Sequence, residues 1–192
     1  PNTPGPTSPK WSITLRDNGM MYLMIDSATQ YKKVDPNTGW EQVVQSVDFP
    51  LTTNSTNWFI SSTHDTLLAI DYFGNEGSYY SVNDGVEWNY CGGLPTNGKR
   101  VLFANEAFGA NACYLGLDSA GLYRLKGNIW EPIGAGIPWN AKVSYVEGKR
   151  IVYRTDVVRY YLFCATSVGL YVSEIGGNDW RLLREGNYST LH

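Results

Sequence analysis

A chain of 192 residues, 43% hydrophobic, 14% aromatic and only 17% charged, has the material for one sizeable core and is somewhat short for two. Its 15 basic residues are scattered and its net charge is −3, so the electrostatic footprint that phosphate binding needs is absent, and no nucleic-acid partner is expected. No apolar run approaches the ~20 residues of a membrane-spanning helix, so no membrane partner is expected either.

In chain order, residues 1–10 are polar and carry Pro1, Pro4, Pro6 and Pro9, too many prolines for a strand; they read as a linker or a mature N-terminal tail. Residues 11–192 repeat. Trp40, Trp88, Trp130 and Trp180 recur in similar company at spacings of 48, 42 and 50 residues. The first three are followed by an apolar-Pro pair, Phe49-Pro50, Leu94-Pro95 and Ile137-Pro138, which closes a strand because proline cannot donate to a ladder. Upstream of each Trp stands an apolar hexamer, at 22–27, 67–72, 114–119 and 163–168, and the four align without gaps.

A further strand follows the hexamer, clearest in Gly121–Leu125 and Gly169–Ser173. Another precedes it, at Trp11–Leu15, Trp58–Ser61, Lys99–Ala104 and Ile151–Arg154. Short strands separated by turn residues, without an amphipathic helical window, predict an all-β fold: a β-propeller of about four blades of four antiparallel strands. The blades are expected at about 11–50, 51–95, 96–138 and 139–186, with the four tryptophans in equivalent buried places. Ring closure is expected to pair the Trp11–Leu15 region with the Trp180–Leu183 strand.

The segment Ser81-Val82-Asn83-Asp84-Gly85-Val86-Glu87-Trp88 resembles the Asp-box (BNR) repeat of sialidase-type propellers, Ser-x-Asp-x-Gly-x-x-Trp, with Asn83 in place of the aspartate. Ser173–Trp180 keeps the Ser, Gly and Trp but not the Asp, and blades one and three keep little beyond the Trp. The resemblance implies a structural turn between the last two strands of a blade and carries no enzymology. The arginine triad and the Tyr/Glu pair of sialidases have no match here.

The site candidates lie on loops. Asp26, Asp71 and Asp118 end the second strand of their repeats, with Ser167 as the fourth member. A ring of carboxylates there suits Ca²⁺ or sugar hydroxyls, while the same residues also close Asx-turns for local reasons. Tyr72, Phe73 and Trp139 sit on loops without repeat equivalents and are expected to share that face; sugar stacking and packing both explain them. The loops leaving the second and fourth strands put these six residues on one side.

No catalytic set is expected. His64 and His192 stand in no recognisable triad or ligand arrangement, and Glu76, Glu106 and Asp156 cannot be placed as the facing pair a glycosidase needs. Cys91, Cys113 and Cys164 lack metal-ligand spacing, and their odd number leaves at least one thiol unpaired. No metal site and no cofactor is expected. Asn54 and Asn187 head glycosylation sequons. The expected function is a non-enzymatic, extracellular or surface-exposed recognition module that binds carbohydrate or protein. A spike or fibre subunit, as a homo-oligomer or filament, and a glycoside hydrolase-like enzyme or fragment remain open beside it.

Overall fold

The computed structural model describes residues 12–15, 19–24, 30–35, 37–44, 58–62, 66–71, 77–95, 101–106, 112–119, 121–154, 157–174 and 176–188. Among them there is no helix. Sixteen strands form four antiparallel meanders, each sheet using four strands in chain order. The first sheet is β1 (Ser12–Leu15), β2 (Met21–Met24), β3 (Gln30–Lys33) and β4 (Glu41–Gln42); the second is β5 (Trp58–Ser62), β6 (Leu67–Asp71), β7 (Ser78–Ser81) and β8 (Asn89–Cys91). The third is β9 (Val101–Glu106), β10 (Cys113–Leu117), β11 (Gly121–Lys126) and β12 (Ile129–Pro132); the fourth is β13 (Val143–Arg154), β14 (Val157–Thr166), β15 (Gly169–Glu174) and β16 (Arg181–Glu185). The repeat periodicity therefore becomes four sheets of equal make-up, as expected.

The core lies between the sheets: β6 and β10 have a neighbour on both faces and read as continuous apolar runs, and β14 buries its C-terminal half against the third sheet. Tyr22 of the first sheet packs with Leu67 and Ala69 of the second. Leu68, Ile70, Cys91 and Leu94 pack against Cys113, Leu115, Leu117 and Trp130 of the third. Tyr114, Leu122, Ile133 and Ile137 pack against Val146, Leu162, Cys164 and Trp180 of the fourth. The gap-free hexamer alignment needs one correction. Tyr22 and Tyr114 face the following sheet, whereas Leu67, aligned with them, faces the preceding one. The second hexamer is shifted by one residue, and with a side-chain period of two a one-residue slip exchanges the faces.

The tryptophans show how one sheet stands on another. Trp130 is 1% exposed; its indole N–H donates to Ser78 Oγ at 2.7 Å and its backbone N–H to the Gly92 carbonyl at 2.9 Å, both in the preceding sheet. Trp180, 5% exposed, repeats this with the Ile133 and Ala135 carbonyls, each at 2.9 Å. Gly93 (φ 87°) and Gly136 (φ 95°) let the preceding chain approach so closely that a Cβ would collide with the backbone oxygens of Trp130 and Trp180. Trp88 is half-buried against the Tyr22 cluster.

Trp40 departs from the expectation of four equivalent buried places: it is 41% exposed. The position buries its ring on the preceding sheet, and the first sheet has no predecessor among the described residues. The strand expected at Ile151–Arg154 is present but starts earlier, and the expected ring closure is not seen among the described residues. The first strand of the fourth sheet begins at Val143, eight residues before Ile151, and forms with β14 the longest hairpin among the described residues. Ring closure does not occur among the described residues: β1 pairs with β2 and β16 with β15, in separate sheets. Successive sheets pack through β1 and β5, β5 and β9, and β9 and β10 with β13, and among the described residues no packing of that extent joins the first sheet to the fourth.

Candidate binding face

A meander has two ends. At one end lie the turns between the third and fourth strands. In the second sheet, Ser81 Oγ accepts from Gly85 N–H at 2.9 Å, while Asn83 Oδ1 accepts from Ser81 Oγ–H at 3.0 Å and from Glu87 N–H at 2.9 Å. One side-chain oxygen thus gathers both limbs of the turn, a task for which an amide oxygen serves as well as a carboxylate. The turn is fastened to the preceding sheet by Tyr22, whose hydroxyl donates to Asp84 Oδ1 at 2.6 Å. In the fourth sheet the Gly176 carbonyl accepts from Arg124 of the third sheet at 2.7 Å. Arg124 also faces Glu131 at 3.6 Å. Sequence reasoning missed both fasteners, because Tyr22 and Arg124 lie far in the chain from the turns they hold.

At the other end lie the turns after the second strands and the connections between sheets. The third sheet leaves β12 through residues 133–142, and this connection is pinned at both sides. Ile137 and Ala141 are buried in the core, and Ala141 N–H donates to the Pro138 carbonyl at 2.9 Å, closing a four-residue turn. Trp139 occupies the tip of that turn and is 80% exposed. An indole held out in water by a turn whose two ends are buried is not satisfying the core.

Beside it, Lys142 joins three segments. Its backbone N–H donates to Ser167 Oγ at 3.1 Å, its carbonyl accepts from Ser167 N–H at 3.0 Å, and its ammonium faces Asp118 Oδ2 at 3.5 Å. Trp139, Asp118 and Ser167 are therefore on one end of the fold. Asp118 also accepts from Ser119 Oγ at 3.1 Å, and Ser119 itself takes a left-handed φ of 62°. A carboxylate engaged this way closes its own turn, the local role that an aspartate before serine can have. Asp26, Tyr72, Phe73 and Asn54 lie outside the described residues, as does the side chain of Asp71. Asn187 is described and exposed. Among the described residues no three His, Cys, Asp or Glu side chains are grouped to hold a metal ion. Lys142 was not foreseen, since a lone lysine in a loop has no signal in a single sequence.

The three cysteines are buried, and none is in a disulfide. Burial pushes Cys91 up to about 12, against a smaller opposing effect from its hydrogen bond with Ser78, and burial raises Cys164 further. Burial thus disfavours the thiolate, the reactive form, at Cys91 and Cys164.

No family model and no curated protein matches the sequence. Solved structures do match the fold. A GH74 enzyme of Niastella koreensis superposes with a TM-score of 0.60 at 15% identity, over 92% of this chain and 25% of that one. YCF48 bound to D1 peptide superposes at 0.55 and 16% identity, over 95% of this chain and 55% of that one. The extracellular domain of the putative hybrid two-component system BT4673 of B. thetaiotaomicron gives 0.50 and 14%, over 96% and 29%. This chain thus spans between a quarter and just over half of the chains it resembles. Among the described residues no helix is long and apolar enough to cross a membrane. At these identities the likeness concerns the fold alone, and that fold is the β-propeller.

Proposed function

We propose that the protein is a non-enzymatic recognition module of the extracellular space or a cell surface, which binds carbohydrate through the end of the fold that carries Trp139. The observation that carries this reading is the 80% exposed indole on a turn anchored in the core. A flat aromatic on a fixed support loses little entropy on binding and stacks on the apolar face of a sugar ring. Lys142 and Asp118, half-exposed beside it, offer a donor and an acceptor to ring hydroxyls. Tyr72, Phe73, Asp26 and Asp71 complete the proposed site, and the sequons at Asn54 and Asn187 suit glycosylation in the same compartment. The turn 81–88 is read as a degenerate Asp box, supported by Asn83 accepting both the Ser81 and Glu87 hydrogen bonds.

A peptide ligand is the second reading, favoured by one observation: a structure similar to this chain is YCF48 bound to D1 peptide. Titration of Trp139→Ala against the wild type, with a glycan retained on an array and with extended peptides, tests both. Weaker glycan binding at an unchanged melting temperature supports the carbohydrate reading. Undiminished glycan binding removes it.

A further inference from the structure

Two of the three joints between sheets are fastened at the turn end in the same way. The turn between the third and fourth strands of one sheet reaches back, and one of its oxygens accepts from a donor on the preceding sheet. Asp84 Oδ1, in the turn between β7 and β8, accepts from the Tyr22 hydroxyl, and the Gly176 carbonyl, in the turn between β15 and β16, accepts from Arg124. Both donors belong to one cross-strand position, Tyr22 opposite Lys32 and Arg124 opposite Tyr114, on the face turned to the following sheet. With the second hexamer slipped by one, the same position in the second sheet is Leu68 opposite Tyr80, on the face that packs against the third.

The third sheet does not answer this position. Gly127 and Asn128 alone join β11 to β12, where the other two turns have seven and six residues. A two-residue turn follows the twist of its own hairpin and does not reach a neighbour. Gly85 lies so close to Gln30 of the first sheet that a Cβ would collide with it, whereas a Cβ on Gly127 meets nothing within 4 Å. The space left is an open pocket of about 380 Å³ at the turn end of the joint. Tyr80 and Val82 of the second sheet wall it on one side and Ala112 and Leu125 of the third on the other, with Thr66 and Asn128 as further polar groups. Among the described residues no charged side chain lines it, and the hydroxyl of the half-buried Tyr80 has no partner. The volume is at the small end of the range for ligand pockets, about 300–1,000 Å³.

We propose that this pocket receives a tight turn of another polypeptide, which supplies the oxygen that the third sheet's own short turn withholds. An oxygen of the incoming turn accepts from the Tyr80 hydroxyl, Thr66 and Asn128 meet its other polar groups, and its small apolar side chains lie on Val82, Ala112 and Leu125. The molecule itself indicates the occupant, because a polypeptide turn fills the equivalent place at both other joints. Uncharged walls with hydrogen-bonding groups suit such a segment, whose main-chain groups must be paired when they leave water. The pocket lies at the opposite end from Trp139 and at a joint with a sheet on either side. It therefore depends neither on the carbohydrate reading nor on what flanks the first and fourth sheets.

The chain's own turn is the probe: the peptide Ser81-Val82-Asn83-Asp84-Gly85-Val86-Glu87-Trp88, cyclised end to end, is titrated calorimetrically into the whole chain and located by hydrogen exchange. A Kd of roughly 0.1–1 mM is expected for so small a contact, with protection at 80–82 and 125–128. Tyr80→Phe should weaken binding about 3- to 10-fold, the worth of one hydrogen bond. Against a peptide carrying Asp84→Ala the same variant should lose nothing further, because the two groups form one bond. Replacing Gly127-Asn128 by the seven-residue sequence of 82–88 should abolish binding at an equal or higher melting temperature, since the chain then fills its own pocket. Val82→Trp, at an exposed position on the rim, blocks the pocket if that variant does not fold. A wild type that does not bind overturns the inference. So does unchanged affinity in Tyr80→Phe, protection at 20–24 or 138–142 instead, or binding that survives a filled or blocked pocket.

Discussion

Four tryptophans at one repeat position have different energies, because each depends on what lies behind it. Trp130→Ala empties a closed aromatic site and removes the Ser78 bond, and should cost about 3–5 kcal/mol in urea unfolding. Trp40→Ala should stay within about 0.5 kcal/mol. Equal losses at the two would contradict this dependence on the preceding sheet. Trp139 is the converse case. Its replacement by alanine should cost about 1–2 kcal/mol of glycan affinity, the worth of a stacked ring, with no shift in melting temperature. The sequence distinguished Trp139 from the repeat tryptophans because it has no counterpart 42 to 50 residues away. It could not distinguish Trp40 from Trp130, since their local neighbourhoods are alike and only the preceding sheet differs.

At the scale of the element, the joints of the third and fourth sheets with their predecessors depend on a glycine and a tryptophan backbone meeting at close range. Gly136→Ala places a Cβ against the Trp180 carbonyl and a side chain at φ 95°. Backbone strain alone should cost about 1–3 kcal/mol, and the collision adds to it. Thermal unfolding of this variant beside Gly127→Ala, where a Cβ meets nothing within 4 Å despite φ 61°, separates the collision from the strain. Similar losses in both would show that the joint is not close-packed. The strands were legible from apolar runs bounded by glycine and proline, but their faces were less so. The hexamer at 67–72 slips by one because buried strands are apolar at every position and carry no alternation to fix the register. The early start of β13 was hidden for a related reason: Val143 to Gly148 alternates weakly, whereas Ile151–Arg154 stands out by its β-branched residues.

Over the whole molecule, stability should be sensitive to alkali. Cys91 and Cys164 keep their protons in the fold well above the ordinary thiol value of 9.0, while the unfolded chain releases them near it. Above that pH the unfolded state binds fewer protons than the native one, so stability falls as pH rises from about 9 towards 12 and is unaffected by these groups below 8. Urea midpoints at pH 8 and pH 10.5 should show the drop, and Cys164→Ala should make it shallower. A pH-independent midpoint would mean that the thiols are not sealed.

The molecule is also polar in a second sense. Its turn end is fastened sheet to sheet by Tyr22–Asp84 and Arg124–Gly176, while its loop end presents Trp139, Lys142 and Asp118 to solvent. Recognition is proposed for the loop end, and hydrogen exchange of the intact chain with and without a glycan retained on an array tests that most directly. Protection is expected in 134–142 and 166–170, with 82–88 and 176–180 unchanged. Protection confined to those last two turns, or no glycan retained at all, would contradict it.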